Sequence, residues 1–318
     1  MKWEEMEEEF KLIKSTKNNP KTIKSYEKAF RKFKVYWEET HPGAPLPDPK
    51  EFTMKDMAMY TLWLKSKYQA NYVEKLYSNL LQFFEFCGNP DVYRMKELRP
   101  KREKKPRVYY SLKEVRELLD LYDESSFTNL MLKTLIHIIA LTGMRAFEAE
   151  NLKWSQVDLR ENYFTLKGKG GKWRKVIIPQ PLRELLTRYK KAWDGYKSFA
   201  EAMGWSIPGG DSLFFRIDEN GRPWPGTDRV FYNRIRRKAR KIGIHFNFKK
   251  FRATLIKLIH ELNQPSEIAA LIAGHSDIKT TIDFYHELEI EVARPIAEEV
   301  VNLILGRDND EGRTSSHE

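Results

Sequence analysis

The sequence predicts a mainly α-helical chain with a small antiparallel β-sheet (α+β), arranged as two domains. Three observations predict this. Apolar residues recur at helical spacing along most of the 318 residues. Two short strand-like runs flank a Gly-rich turn at 168–171. A basic run at 94–107 separates a first group of helices from a second. At this length two ordinary domains can each bury a core.

In chain order, the acidic stretch from Glu7 to Glu9 is expected to be loosely ordered, like the polar tail at 307–318. Ile23, Tyr26, Phe30, Phe33 and Trp37 then lie on one face of a helix. Pro42, Pro45, Pro47 and Pro49 break it, since proline has no amide proton and clashes with the turn before it. Thr53 with Asp56 resembles a helix-start box and precedes Met57, Tyr60 and Leu64. A third helix holds Val73, Leu76, Leu80, Phe83 and Phe84. These helices form a first domain over 1–98, followed by a basic linker at 99–110. The second domain, 111–306, opens at Ser111, which caps a helix with Glu114 three residues on. Helices at 112–122 and 127–142 lead to strands at 163–166 and 175–178. Further helices begin at Leu182, Thr227, Lys249, Pro265 and Lys279. Ile290, Ile296, Val300 and Ile304 mark a last amphipathic helix, which either packs within the chain or docks on a neighbouring copy.

Charge points to a polyanionic partner. The chain has 56 Lys+Arg against 45 Asp+Glu, a formal net charge of +11, and an isoelectric point near 9.4. The basic residues cluster in two runs. One carries Lys101, Arg102, Lys104 and Lys105, the other Arg234, Arg236, Arg237 and Arg240. Lys172 and Arg174 join them as expected DNA contacts, of the kind that give affinity and register to phosphates rather than sequence choice. The single cysteine, Cys87, excludes an internal disulfide framework and reads as a small buried hydrophobe. The acidic opening is unlike a secretory signal and no apolar run reaches the ~20 residues of a membrane span, so a cytoplasmic protein is expected.

Four strings carry the chemistry. Residues 141–154 read Leu-Thr-Gly-Met-Arg-Ala-Phe-Glu-Ala-Glu-Asn-Leu-Lys-Trp, with Arg145 after a glycine and Glu148 three residues on. Residues 166–174 read Leu-Lys-Gly-Lys-Gly-Gly-Lys-Trp-Arg, with Lys169 at a hairpin tip. Residues 248–254 read Phe-Lys-Lys-Phe-Arg-Ala-Thr, carrying Lys249 and Arg252. Residues 271–285 read Leu-Ile-Ala-Gly-His-Ser-Asp-Ile-Lys-Thr-Thr-Ile-Asp-Phe-Tyr, with His275 and Tyr285. Two arginines, two lysines, a histidine and a terminal tyrosine suit holding a phosphodiester while a phenol displaces an alkoxide. An arginine fork gives a phosphate two parallel hydrogen bonds and stays charged at any working pH. The Gly-Lys-Gly-Gly-Lys string lacks the spacing of a phosphate-binding P-loop.

Together these strings resemble the tyrosine recombinase (phage integrase) family, Xer-like or archaeal-integrase-like, over nearly the whole chain. The resemblance implies a two-domain DNA clamp, a helical core-binding domain closing on one side of the duplex and a catalytic domain on the other. It implies catalysis by Arg145, Lys169, Lys249, Arg252, His275 and Tyr285, with Tyr285 as nucleophile and no cofactor or metal. Aligning Gly168-Lys169-Gly170 with the family pattern selects Lys169 over Lys172 as the acid that protonates the leaving oxygen. The implied partners are double-stranded DNA with an inverted-repeat core site and further copies of the chain, a tetramer on two duplexes and a monomer or dimer when free. Two departures stand out. Lys249 occupies the place where the family usually has histidine, and the step from His275 to Tyr285 is one residue longer than the pattern. An added residue turns a helical side chain by about 100°, leaving cis or trans delivery of Tyr285 open. A non-cutting DNA-binding protein of the same fold and a strand-passage enzyme of the topoisomerase IB kind are the alternatives.

Overall fold

The computed structural model describes residues 3–103, 106–167, 173–226, 228–273 and 286–307. The chain divides into two compact units, Met1–Pro106 and Arg107–Glu318.

The first unit holds five helices among the described residues: α1 (Trp3–Lys17), α2 (Pro20–Thr40), α3 (Met54–Lys67), α4 (Ala70–Phe86) and α5 (Val92–Glu97). The start of α2 is set by Asn19, whose side chain accepts from the Thr22 amide, with Pro20 following in the first turn. Thr53 and Asp56 close a reciprocal capping box on α3. The apolar stripes meet in an aromatic core of Phe10, Phe30, Phe33, Phe83 and Phe84. Here the structure corrects one expectation. Glu7 to Glu9 lie inside α1, because Trp3 stacks on Phe33 with ring centroids 4.7 Å apart and the Glu7 carboxylate pairs with Lys11 and Lys34. The aromatic anchor at Trp3 outweighs the polarity of the acidic run. Cys87 is buried in this core, where loss of solvation and the nearby Asp48 push its thiol up to about 12.

The predicted linker begins as part of this unit. Glu74 on α4 has a side chain only 3 % exposed, and Arg99 and Arg102 both bond to it, each at a shortest distance of 2.5 Å. Burial opposes ionisation of Glu74, but the hydrogen bonds and charges of the two arginines win, so its carboxyl lies below the usual range. A buried carboxylate needs such partners, and that need folds the basic run back on α4.

The second unit is built around α7 (Phe127–Thr142), whose residues from Leu130 on are apolar nearly all round and buried. Against it pack α6 (Leu112–Leu119), α9 (Gln180–Ala202) and α11 (Phe248–Glu261). The capping box of Ser111 and Glu114 starts α6. A three-stranded antiparallel sheet, in the order β1 (Val157–Asp158), β2 (Tyr163–Lys167), β3 (Trp173–Ile177), lies beside them with Phe164 opposite Val176 and Leu166 opposite Arg174. Several short elements of this unit were not predicted: the helix α8 (Ala146–Glu150), a 3-10 turn at Trp154–Gln156, β1, and a second antiparallel pair, β4 (Arg216–Ile217) with β5 (Pro223–Trp224). The two-residue strands are too short for a periodicity of two to show.

The remaining helices are α10 (Asp228–Lys241), α12 (Ser266–Ala273) and α13 (His286–Leu305). In the single chain, the last helix meets α6. Ala293, Ala297, Val300, Val301 and Ile304 are buried, and Arg116 of α6 donates to the carbonyls of Leu303 and Ile304 at 2.9 and 2.8 Å. A guanidinium at a helix C-terminus satisfies carbonyls that have no intrahelical donor.

Candidate active site

The site is built where α7 ends. Thr142 bonds back to the carbonyl of Ile138 and its hydroxyl also accepts from the Met144 amide. Gly143 then takes a left-handed conformation, φ 63°, as a helix-ending residue must when the chain turns sharply. Buried Met144 pins the turn, and Arg145 follows as the first residue of the next helical start. The Arg145 amide donates to Glu148 Oε2 at 3.1 Å, so Glu148 closes the start of α8.

Arg252 reaches this turn from another element. It stands on α11, and its Nη1 donates to the carbonyl of Gly143 at 2.7 Å. The packing of α11 on α7 therefore brings the second arginine box to the first, over more than a hundred residues of sequence. Glu148 gathers the charges. Its carboxylate is 3.3 Å from Nη1 of Arg145 and 2.7 Å from Nη2 of Arg174, with its side chain 18 % exposed. Burial opposes its ionisation, but the bond and charge of Arg174 and the proximity of Arg145 prevail, so the carboxyl lies below its ordinary value of 4.5.

Arg252 is displaced in the other sense. Burial first, then the positive charges of Arg145 and Arg174, lower its guanidinium to about 10, with Glu148 partly compensating. It remains protonated at neutral pH. Three guanidiniums about one carboxylate make a place that an anion would relieve.

Arg174 stands here instead of on an open basic surface. Its side chain is 14 % exposed, against 62 % exposure for the neighbouring Trp173. Strand parity explains the difference: Arg174 shares the inward face with Val176, opposite buried Leu166. That alternation was a usable signal in the sequence. Its Nε is buried without a hydrogen-bond partner among the described residues.

Lys249 is exposed in the first turn of α11, one turn before Arg252, with its amide capped by Asn247 at 3.0 Å. Lys101, Arg102, Arg234, Arg236, Arg237 and Arg240 are exposed, although Arg102 is held by Glu74. Lys169, Lys172, His275, Tyr285, Lys104 and Lys105 lie outside the described residues. Among the described residues, no group of three or more His, Cys, Asp or Glu side chains is placed to hold a metal, and no helix is long and apolar enough to cross a membrane.

The model of the phage integrase family matches residues 109–291, more than half of the chain. The chain belongs to the phage integrase family. It is a site-specific recombinase of the tyrosine class. The tyrosine recombinase XerC of Lactobacillus delbrueckii subsp. bulgaricus is 24% identical over 303 residues, covering 88% of this chain and 94% of the relative. A lambda integrase (75–356) dimer bound to a COC′ core site has the same fold, with a TM-score of 0.61 at 14% identity over 88% of this chain and 98% of the other. The XerH recombinase bound to difH substrate likewise superposes with a TM-score of 0.61, at 20% identity, over 86% and 79% of the two chains.

The cluster makes Glu148 testable as the residue that positions the arginines. Glu148→Gln should lower the stability of the recombinase by roughly 1.5–3 kcal/mol, the range for hydrogen bonds to charged groups, read from the urea midpoint at pH 7. A depressed carboxyl stabilises above its unfolded pKa and loses that contribution as the pH falls through its folded value. The gap between wild type and variant should therefore close as the pH drops below about 4.5. A gap that persists in acid would show that shape rather than charge is at stake.

Proposed function

We propose that this recombinase cuts and rejoins DNA through a covalent link between Tyr285 and a 3′-phosphate. The phenolic oxygen forms a bond to phosphorus as the bond to the 5′-oxygen breaks. The phenolic proton passes to solvent water, and the departing 5′-oxygen takes a proton from Lys169. The bond energy stays in the phosphotyrosine, so the partner strand's 5′-hydroxyl can attack it and release Tyr285. The observation that supports this reading most directly is the convergence of Arg145, Arg174 and Arg252 about Glu148. Preorganised donors of this kind stabilise the charge that develops on the non-bridging oxygens. Lys249, exposed beside Arg252, is assigned to the same phosphate. His275 completes the set on the leaving or attacking side.

The first unit and the linker at 99–110 are assigned to gripping the duplex, and the second unit, through 306, to the chemistry. The DNA partner is a core site of two inverted repeats, engaged by a tetramer on two duplexes, and the protein works in the cytoplasm where that DNA lies. Exposed arginines on α10 support contact with a polyanion. Relatives described as a dimer on a core site and a tetramer on a Holliday junction support the assembly.

A nicked suicide substrate tests the cleavage directly. Incubation should trap a covalent protein–DNA band on denaturing gels without added metal or nucleotide. Tight binding to a verified site with no such band would favour the non-cutting binder. The acid is tested separately. Lys169→Ala should slow cleavage by roughly 100- to 10,000-fold, and a 5′-bridging sulfur substrate should restore it, because a thiolate leaves without a proton. Rescue of Lys172→Ala instead would move the role to Lys172.

A further inference from the structure

Tyr110, the last residue of the basic linker, is buried and takes hold of the start of α11. Its amide donates to Thr254 Oγ1 at 2.8 Å, and Thr254 is itself buried. Its hydroxyl accepts from the Asn247 amide at 2.7 Å and lies 3.3 Å from the carbonyls of both His245 and Asn247, which share its proton. Its ring centroid is 5.0 Å from that of Phe251 and 4.9 Å from the Lys250 ammonium. Burial pushes the phenol up to about 12, so it stays a donor at any working pH. Residues 247, 250, 251 and 254 form one stripe along about two turns of helix. At about 100° per residue, Lys249 and Arg252 lie on roughly the opposite side. Tyr110 therefore grips the back of the segment whose front carries the second arginine box.

We propose that Tyr110 is a positioning residue for strand cleavage, fixing the rotation of α11 so that Lys249 and Arg252 are presented together to the scissile phosphate. This rests on the DNA-cleaving reading above. Buried Leu255 and Ile259 hold α11 in the core by apolar contact, which has no direction. The hydrogen bonds of Tyr110 have one. From its hydroxyl the hold passes to the Asn247 amide, and the Asn247 side chain in turn accepts from the Lys249 amide at 3.0 Å. One turn on, Arg252 donates to the Gly143 carbonyl at 2.7 Å, so a helix rotated about its axis would carry both side chains off that turn together. The ring also divides the two adjacent lysines. It keeps Lys250 half-buried against its face, which leaves exposed Lys249 as the one offered beside Arg252. The phenolic oxygen carries the assignment: phenylalanine would keep the ring against Phe251 but lose the bonds to residues 245 and 247.

The test is single-turnover cleavage of a nicked suicide substrate by the full-length protein at saturating DNA, with the dissociation constant measured beside it. Tyr110→Phe should slow cleavage by about 10- to 100-fold, the scale of a small misplacement, and leave the dissociation constant unchanged. Thr254→Val, which removes the acceptor of the Tyr110 amide, should slow cleavage in the same way. Thr254→Ser keeps the hydroxyl and should retain most of the rate. In an Arg252→Ala background, Tyr110→Phe should cost far less, because a group it positions is gone. Tyr189→Phe is the control. It removes another buried hydroxyl of the same unit, one that donates to the Leu213 carbonyl, and should lower the melting temperature without slowing cleavage. A Tyr110→Phe variant that cleaves at the wild-type rate overturns the inference. So does an undiminished loss in the Arg252→Ala background, or a Tyr189→Phe variant slowed as much for the same fall in melting temperature. A wild-type protein that forms no adduct on a verified site would instead overturn the cleavage mechanism, and the inference with it.

Discussion

Tyr285→Phe should leave no covalent protein–DNA band on a nicked suicide substrate, at protein concentrations where wild type converts most of the DNA. The substitution removes one oxygen atom and keeps the ring. Without that oxygen no bond to phosphorus can form, so the effect is a loss and not a slowing. A phenol ordinarily titrates near pH ~10, so on the proposed mechanism attack at neutral pH calls for nearby positive charge, the part assigned to the arginine cluster. Binding measured without denaturant should persist, which separates a lost nucleophile from a lost site. The polarity is checked on the wild-type product: a blocked 3′ end and a 5′-hydroxyl that a kinase can label. A covalent band of undiminished intensity from the phenylalanine variant would sink the assignment, and peptide mapping of the adduct would then identify the true nucleophile.

Much of this was legible in residue patterns, for reasons that differ from place to place. The turn at Thr142-Gly143-Met144-Arg145 was readable because each residue has a local duty: a hydroxyl bonding back, a left-handed glycine, a buried anchor and a helix start. The boxes of Thr53 with Asp56 and Ser111 with Glu114 were readable for the same reason. Properties that depend on distant partners were not. The sequence places Glu148 only three residues after Arg145, and it is the register of β3 that brings Arg174 to its other oxygen. The first helix was missed because its acidic run hides Trp3 and Phe10, whose burial depends on α2 and α4. Arg99 and Arg102 looked like linker charges until the buried carboxylate of Glu74 gave them a place. Periodicity gave the last helix an apolar face but not the element it meets in this chain, which the bonds from Arg116 identify as α6.

Arg252→Ala should reduce the single-turnover cleavage rate by about 100- to 1,000-fold, the usual cost of one preorganised donor, and weaken binding of the intact duplex far less. The asymmetry follows from where the charge is held. Burial and the neighbouring charges of Arg145 and Arg174 make the Arg252 cation costly in the free protein, lowering its pKa to about 10. That cost is relieved most when negative charge is greatest, as the pentacoordinate phosphorus forms, so the interaction strengthens along the reaction path. Arg252→Lys should not restore the rate. The guanidinium gives Nη1 to the Gly143 carbonyl at 2.7 Å, and its rigid planar fork directs its donors along fixed directions. An ammonium is a point charge and cannot reproduce those fixed directions. Comparing the rate of the bound complex with its dissociation constant decides the matter. Equal losses in both would make Arg252 an anchor for DNA, whereas a loss confined to the rate would place its contribution in the transition state.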